Sequence, residues 1–172
     1  MLEQIELMRE RLNYDPETGV LTYSSKAKGN KRAGDKVGCI DGHGYIKVMF
    51  QGRMYYAHRM VWMMINGRAP AGVIDHINGI KTDNRIANLR ESSISQNGAN
   101  SDLALRGGEL RGTTKLKSGR FQSQIKREGK AYYLGSYSTR EDARTAYEFA
   151  SILVFKEFSP FHPARTQALK GQ

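Results

Sequence analysis

The chain is predicted to be α+β, two small units each made of short strands and helices, and three features of the sequence point there. Short alternating runs recur between Gly-containing turns: "VLTYSS", "KVGCI", "YIKVMF" and "RMYYAHRM" early, then "TTKLK", "RFQSQIK" and "KAYYLGSY". Two stretches, "HRMVWMMINGRAP" and "STREDARTAYEFASILVF", carry helical patterning. Gly107 and Gly108 mark a joint, after which the pattern changes. The expected division is a first unit over 1–104, a linker over 105–110 and a second unit over 111–172.

Each element has a local reason. Leu2, Ile5, Met8 and Leu12 lie at near-helical spacing, so residues 2–12 are predicted to form a short amphipathic helix. Pro16 and Gly19 then punctuate a turn in "YDPETG", and the early strands follow. The "HRMVWMMIN" helix is stopped by Gly67 and Pro70. "LRESS" is strand-like, and "SISQNGANSDLALR" is expected to be helical despite Gly98. In the second unit "RFQSQIK" alternates strictly, with Arg120, Gln122, Gln124 and Lys126 on one face and Phe121, Ser123 and Ile125 on the other. The last long helix is predicted to start on a capping box of Ser138 and Glu141 and to gather Ala143, Ala146, Tyr147, Ala150 and Val154 on one face.

Charge narrows the partners. The 172 residues hold 27 Lys and Arg against 17 Asp and Glu, a net charge of +10. A surplus of that size favours a polyanion such as nucleic acid. Residues 101–172 hold 13 basic and 7 acidic side chains, against 14 and 10 in residues 1–100, so DNA affinity is expected to concentrate in the second unit. No run of 18 apolar residues exists to span a membrane, and the opening "MLEQIELMRERL" has no apolar signal core. The lone Cys39 excludes an internal disulfide framework and a Cys-based zinc site. A cytoplasmic, reducing setting is the expectation.

The stretch "VIDHINGIKTDNRIANL", Val73 to Leu89, carries chemistry. Cutting a phosphodiester requires a group that activates water and one that holds a cation against the phosphate. A neutral imidazole with a pKa near ~6.5 can take the proton. Asp75 and His76 point to opposite sides of an extended strand, so each is given its own role. Asp75 offers a charged oxygen, Asn97 a second oxygen from the following helix, and an oxygen-rich pair of this kind suits Mg²⁺. Asn88 has amide chemistry suited to tying the loop backbone at both ends. His58, among Ala57, Met60 and Val61, is expected to be a buried, hydrogen-bonded imidazole; His43 reads as a turn residue and His162 as a surface residue.

Residues 12–100, with "HRMVWMMINGRAP" and "DHING…DNR…NLR…QN", resemble phage- and intron-type HNH endonucleases with a ββα-metal site. The resemblance implies His76 as general base, Asp75 and Asn97 as metal ligands, and Asn88 as the structural middle Asn of the catalytic set. Asn97 stands where many relatives have His, which favours Mg²⁺ or Mn²⁺ over softer ions, and no structural zinc is expected.

Residues 111–158, "RGTTKLKSGRFQSQIKREGKAYYLGSYSTREDARTAYEFAS" and the residues after it, resemble the AP2 DNA-binding domain, a three-stranded sheet backed by a helix. The alternation gives Arg120, Gln122, Gln124 and Lys126 a base-reading face. The resemblance adds Tyr133 and assigns Gln124 and Lys126 to contacting positions. Thr114, Leu116, Ser118 and Ala131 depart from the Arg and Trp of plant relatives, which implies a different target sequence.

Together the two resemblances imply a homing-type enzyme that hydrolyses double-stranded DNA in a phage-infected bacterial cell. A monomer is expected to nick, and a second copy to be needed for a double-strand break. The alternative is a DNA-binding regulator with an inactive HNH-like scaffold, and "DHING…QN" is the feature that weighs against it.

Overall fold

The computed structural model describes residues 2–27, 29–100 and 111–170. They form two compact units, residues 1–92 and 93–172. The linker expected over 105–110 lies outside the described residues. The helix after "LRESS" is grouped with the second unit.

The first unit opens with α1 (Leu2–Arg11), which runs directly into β1 (Leu12–Tyr14). Ile5 and Met8 are buried on the inner side of α1, whereas Leu2 of the expected apolar stripe is largely exposed. β1 pairs antiparallel with β2 (Leu21–Tyr23). β3 (Cys39–Ile40), β4 (Ile46–Phe50) and β5 (Arg53–Tyr56) form an antiparallel three-stranded sheet in that order. Gln51 and Gly52 both take positive φ at the β4–β5 turn, the geometry a two-residue hairpin loop requires.

α2 (Ala57–Asn66) follows β5 without a loop. Gly67 ends it at φ 68, its N–H donating to Met63 O at 2.9 Å, as expected of a left-handed glycine cap. α1 lies against α2: the Arg9 guanidinium donates from Nε to Met64 O at 2.7 Å, and Gln4 Nε2 donates to the Tyr55 hydroxyl at 2.8 Å. Ile5, Met8, Leu12, Val48, Met60, Val61, Ile74 and Leu89 share one apolar core. β6 (Val73–His76) and β7 (Leu89–Ser92) close the unit as an antiparallel hairpin, with a single 3-10 turn at Ile86–Asn88 before β7.

The second unit starts with α3 (Ile94–Asn100). β8 (Thr113–Lys115), β9 (Phe121–Arg127) and β10 (Lys130–Tyr137) form an antiparallel sheet with β9 in the centre. α4 (Arg140–Phe155) packs across it, burying Ala143 and Tyr147 near Ile125 and Ser123. A 3-10 turn at Lys156–Phe158 leads to α5 (Pro163–Lys170).

The cap of α4 differs from the expected Ser138–Glu141 pair by one residue. Thr139 is the N-cap, its Oγ1 accepting from Asp142 N at 3.1 Å and donating to the Asp142 carboxylate at 2.7 Å. The extended φ −117, ψ 156 that an N-cap needs falls at Thr139, so the box shifts with it. Removing that hydroxyl with Thr139→Ala should cost the second unit about 1 kcal/mol in urea unfolding. Gly112→Ala should cost clearly more, about 3 kcal/mol, because Gly112 sits at φ +82 with the Tyr147 ring where a Cβ would go.

Candidate active site

The β6–β7 hairpin holds two residues of the expected constellation side by side. Its register sets Asp75 opposite Arg90 and His76 opposite Leu89. Both Asp75 and His76 are buried. Asp75 Oδ2 accepts from Arg90 Nε at 2.9 Å and lies 2.7 Å from Arg90 Nη2. A paired guanidinium is what allows a carboxylate to stay charged at such depth. The hairpin's outer end is fastened by Glu91, which receives the Arg68 guanidinium and Ala71 N (2.6 Å). Those bonds draw its pKa down to about 2, the Arg68 hydrogen bond first.

His76 is oriented from the loop. Its Nε2 lies 3.1 Å from Asn84 Oδ1, and Asn84 is fully buried. Burial lowers the imidazole pKa, opposed by the Asn84 hydrogen bond and the Asp75 charge. The ring is therefore neutral at physiological pH. It sits in an aromatic group: His58 lies edge-on at 5.0 Å between centroids, Tyr45 at 6.1 Å, and Tyr56 stacks on His58 at 5.4 Å.

His58 is buried, as expected, but its Nδ1 has no hydrogen-bond partner among the described residues, so the expected hydrogen bond is absent at that nitrogen. Burial, then the neighbouring His76, pushes its pKa down to about 3. His43 sits exposed in the turn capped by Asp41, and His162 Nδ1 accepts from Ala164 N at the start of α5.

Asn88 does what its amide chemistry implied. Its Oδ1 accepts from Asn78 N at 3.0 Å, while Nδ2 donates to Asn78 Oδ1 at 3.0 Å and to Asp83 O at 2.8 Å. Asn88 O accepts from Ile77 N, one residue past His76, at 2.9 Å. Asp83 in turn holds Asn78 Nδ2 at 2.7 Å and Arg85 Nε at 2.8 Å. The Tyr14 hydroxyl donates to Asn84 O at 3.2 Å and accepts from Ile86 N at 2.7 Å, tying the loop to β1. Arg85 is thus engaged with Asp83 and Arg59 with Gly72 O.

Asp75, His76 and Asn88 therefore lie in the first unit, joined by one hairpin and its loop; Asn97, half-buried on α3, belongs to the second. Among the described residues no group of three or more His, Cys, Asp or Glu stands close enough to hold a metal ion. The donor set at β6 is one carboxylate, Asp75, whose Oδ2 is engaged by Arg90. It fits a hard ion such as Mg²⁺, which keeps most of its waters and takes one or two protein oxygens plus phosphate.

Sequence reasoning missed Asn84 and Arg90, the direct partners of His76 and Asp75. Arg90's place opposite Asp75 follows once hairpin register is known; Asn84 had no periodic signal, only its place in "DNR".

In the second unit the register places Gln122 between Thr114 and Ser136, Gln124 opposite Tyr133 and Lys126 opposite Ala131. Gln124, Lys126 and Tyr133 are exposed and Gln122 is half-buried, while Ser123 and Ile125 face the helix. Arg120 is exposed and donates from Nε to Ser136 Oγ at 3.1 Å. A β-bulge between Tyr133 and Gly135 shifts the register of β10 just past Tyr133.

Residues 55–99, from β5 through the hairpin into α3, match the family model described as HNH endonuclease. An uncharacterized HNH endonuclease of Acanthamoeba polyphaga mimivirus is 25% identical over 104 residues, 59% of this chain and 54% of the relative. The chain thus spans about half the length of that relative. No solved structure matches. Over residues 55–99 the chain is thus similar to HNH endonucleases. Among the described residues no helix is long and apolar enough to cross a membrane.

Two outcomes follow from the geometry. Asn88→Ala strips three hydrogen bonds, two of them buried, and should destabilise the first unit by about 2–4 kcal/mol in urea unfolding. Stability should also drain in acid. Between the unfolded histidine value of 6.5 and the folded value of about 3 for His58, the unfolded chain binds a proton that the folded chain does not. Stability is then complete above about pH 6.5 and falls as pH drops toward 3. Melting curves of wild type and His58→Phe between about pH 8 and pH 5 should show a shallower decline in the variant.

Proposed function

We propose that this chain is a metal-dependent endonuclease of HNH type that hydrolyses phosphodiester bonds in double-stranded DNA, in a homing-type role in a phage-infected cell. The observation that carries the reading is the buried, neutral His76 held by Asn84 beside the charged Asp75. With Nε2–H donated to Asn84, the imidazole lone pair lies on Nδ1, which accepts the proton of the attacking water. Asn88 keeps the backbone after His76 in place and so positions the base. Asp75 and, as the resemblance implies, Asn97 would hold the divalent ion, Mg²⁺ or Mn²⁺. When bound, the ion supplies charge stabilisation to the phosphate and the departing 3′ oxygen. Arg120, Gln122, Gln124, Lys126 and Tyr133 of an AP2-like second unit contact the duplex, a role supported by the exposed face that β9 presents. One such site cuts one strand per visit, so a monomer nicks.

The engagement of Asp75 Oδ2 by Arg90 favours a second reading, a DNA-binding regulator whose scaffold does not cut. Supercoiled plasmid separates the two. Wild type should nick with Mg²⁺ or Mn²⁺ and stop with EDTA, and His76→Ala should lose about 10²-fold or more in rate while still binding. Binding by wild type without cleavage under any metal would leave the regulator. Asn84→Leu, which removes the acceptor, should lower kcat with KM little changed, and Asn84→Asp, which keeps an acceptor oxygen, should recover part of it.

A further inference from the structure

One face of the β4–β5 hairpin is built unlike a solvated surface. Alternation places Tyr45, Lys47 and Met49 on that face, and the register adds Tyr56 beside Lys47 and Met54 beside Met49. The opposite face supplies Val48 and Phe50 to the core. Met49 and Met54 are directly paired across the strands, yet they are 58% and 51% exposed. Among the described residues nothing buries them.

The face is continuous with the candidate site at one end. Tyr45 and Tyr56 pack on each other at 5.4 Å, and the rings of His58 and His76 adjoin them. Ammonium groups lie over both tyrosines: Lys81 Nζ is 4.9 Å from the Tyr45 centroid and Lys47 Nζ 5.4 Å from that of Tyr56. Of the acidic groups near Tyr45, Asp75 is paired with Arg90, and Asp41 is taken up by Lys47 at 3.1 Å and by the turn amides of His43 and Tyr45. Arg53 is exposed next to the hairpin tip. The stripe therefore runs from the imidazole, through cations and aromatics, to a thioether pair.

We infer that this face lies along the DNA minor groove and that Met49 and Met54 form an apolar wedge that loosens a base step a few steps away from the scissile phosphate. The inference rests on the DNA endonuclease reading above. Exposed apolar side chains on sheet surfaces enter base steps in the minor groove, and the resulting unstacking bends the duplex toward the protein. Methionine suits the task because its unbranched thioether adapts to a flat base edge. Four residues separate Tyr45 from Met49, about 13 Å along a strand. At about 3.4 Å per step along one DNA strand, the wedge meets the duplex roughly four steps from the phosphate under attack. The loosened step gives the enzyme a bend it need not find in the free duplex.

The test maps the wild-type nick on plasmid, then uses two synthetic duplexes: an intact one, and one with a mismatch roughly four steps from the nick. The double variant Met49→Ser/Met54→Ser should keep the wild-type melting temperature, since both side chains are exposed. It should nick the intact duplex about tenfold more slowly and the mismatched duplex at close to the wild-type rate. A second variant, Met49→Leu/Met54→Leu, should keep most activity on both. Equal rates for the Ser variant and wild type on the intact duplex would overturn the wedge while leaving the nuclease intact, and so would an equal loss on both duplexes. A wild-type dimer that the Ser variant splits without change in nicking would assign the face to self-association instead. If wild type cuts no DNA at all, the function and the wedge fall together.

Discussion

Two amide side chains facing each other in the interior set the position of everything chemical in the first unit. Asn78 and Asn88 exchange hydrogen bonds through backbone and side chain, and Asp83 closes the third side. A loop of this polarity could not stay buried with its N–H and C=O groups unpaired, because each orphan costs on the order of 1–3 kcal/mol. The clasp satisfies them internally. It thereby fixes Asn84, which lies inside the closed loop and fixes His76 in turn. The imidazole's direction is a consequence of amide pairing several residues away.

Burial then sets its charge. His76 and His58 touch edge to face within a group of rings, where a protonated imidazole would lose its water and meet a second imidazole. Both are held neutral. Asp75, at similar depth, is paired with the guanidinium of Arg90 on the neighbouring strand. A neutral acceptor and an anion thus occupy adjacent positions of one strand by different means, which is the separation of roles that hydrolytic chemistry uses.

How much of this was readable in advance depends on the range of the interactions. Strands β4, β5, β9 and β10 and helices α2 and α4 are visible because alternation, helical spacing and Gly67 are local signals. The grouping of Asp75, His76 and Asn88 was visible in the wording of one short stretch. Asn84 and Arg90 were not, because what matters is which side chain closes on which, and that depends on loop closure and register. The α4 cap moved from Ser138 to Thr139 for a similar reason: both residues have the hydroxyl, and only backbone conformation decides between them. The seat of α1 rests on Gln4 and Arg9 meeting Tyr55 and Met64, which no periodicity encodes.

Those last contacts also bear on how the chain comes together. Gln4 finds its partner 51 residues later, Arg9 55 residues later, and the Tyr14 hydroxyl 70 and 72 residues later. Pairings of such separation carry a large loop-closure entropy and make folding slow. During synthesis α1 emerges before α2 and cannot make its Arg9–Met64 contact until α2 has left the ribosome, and β1 waits longer still, for the loop carrying Asn84. The nascent first unit is therefore incomplete, with its apolar helix face uncovered, until the residues that orient His76 arrive. Completion of the fold and completion of the site are one kinetic event.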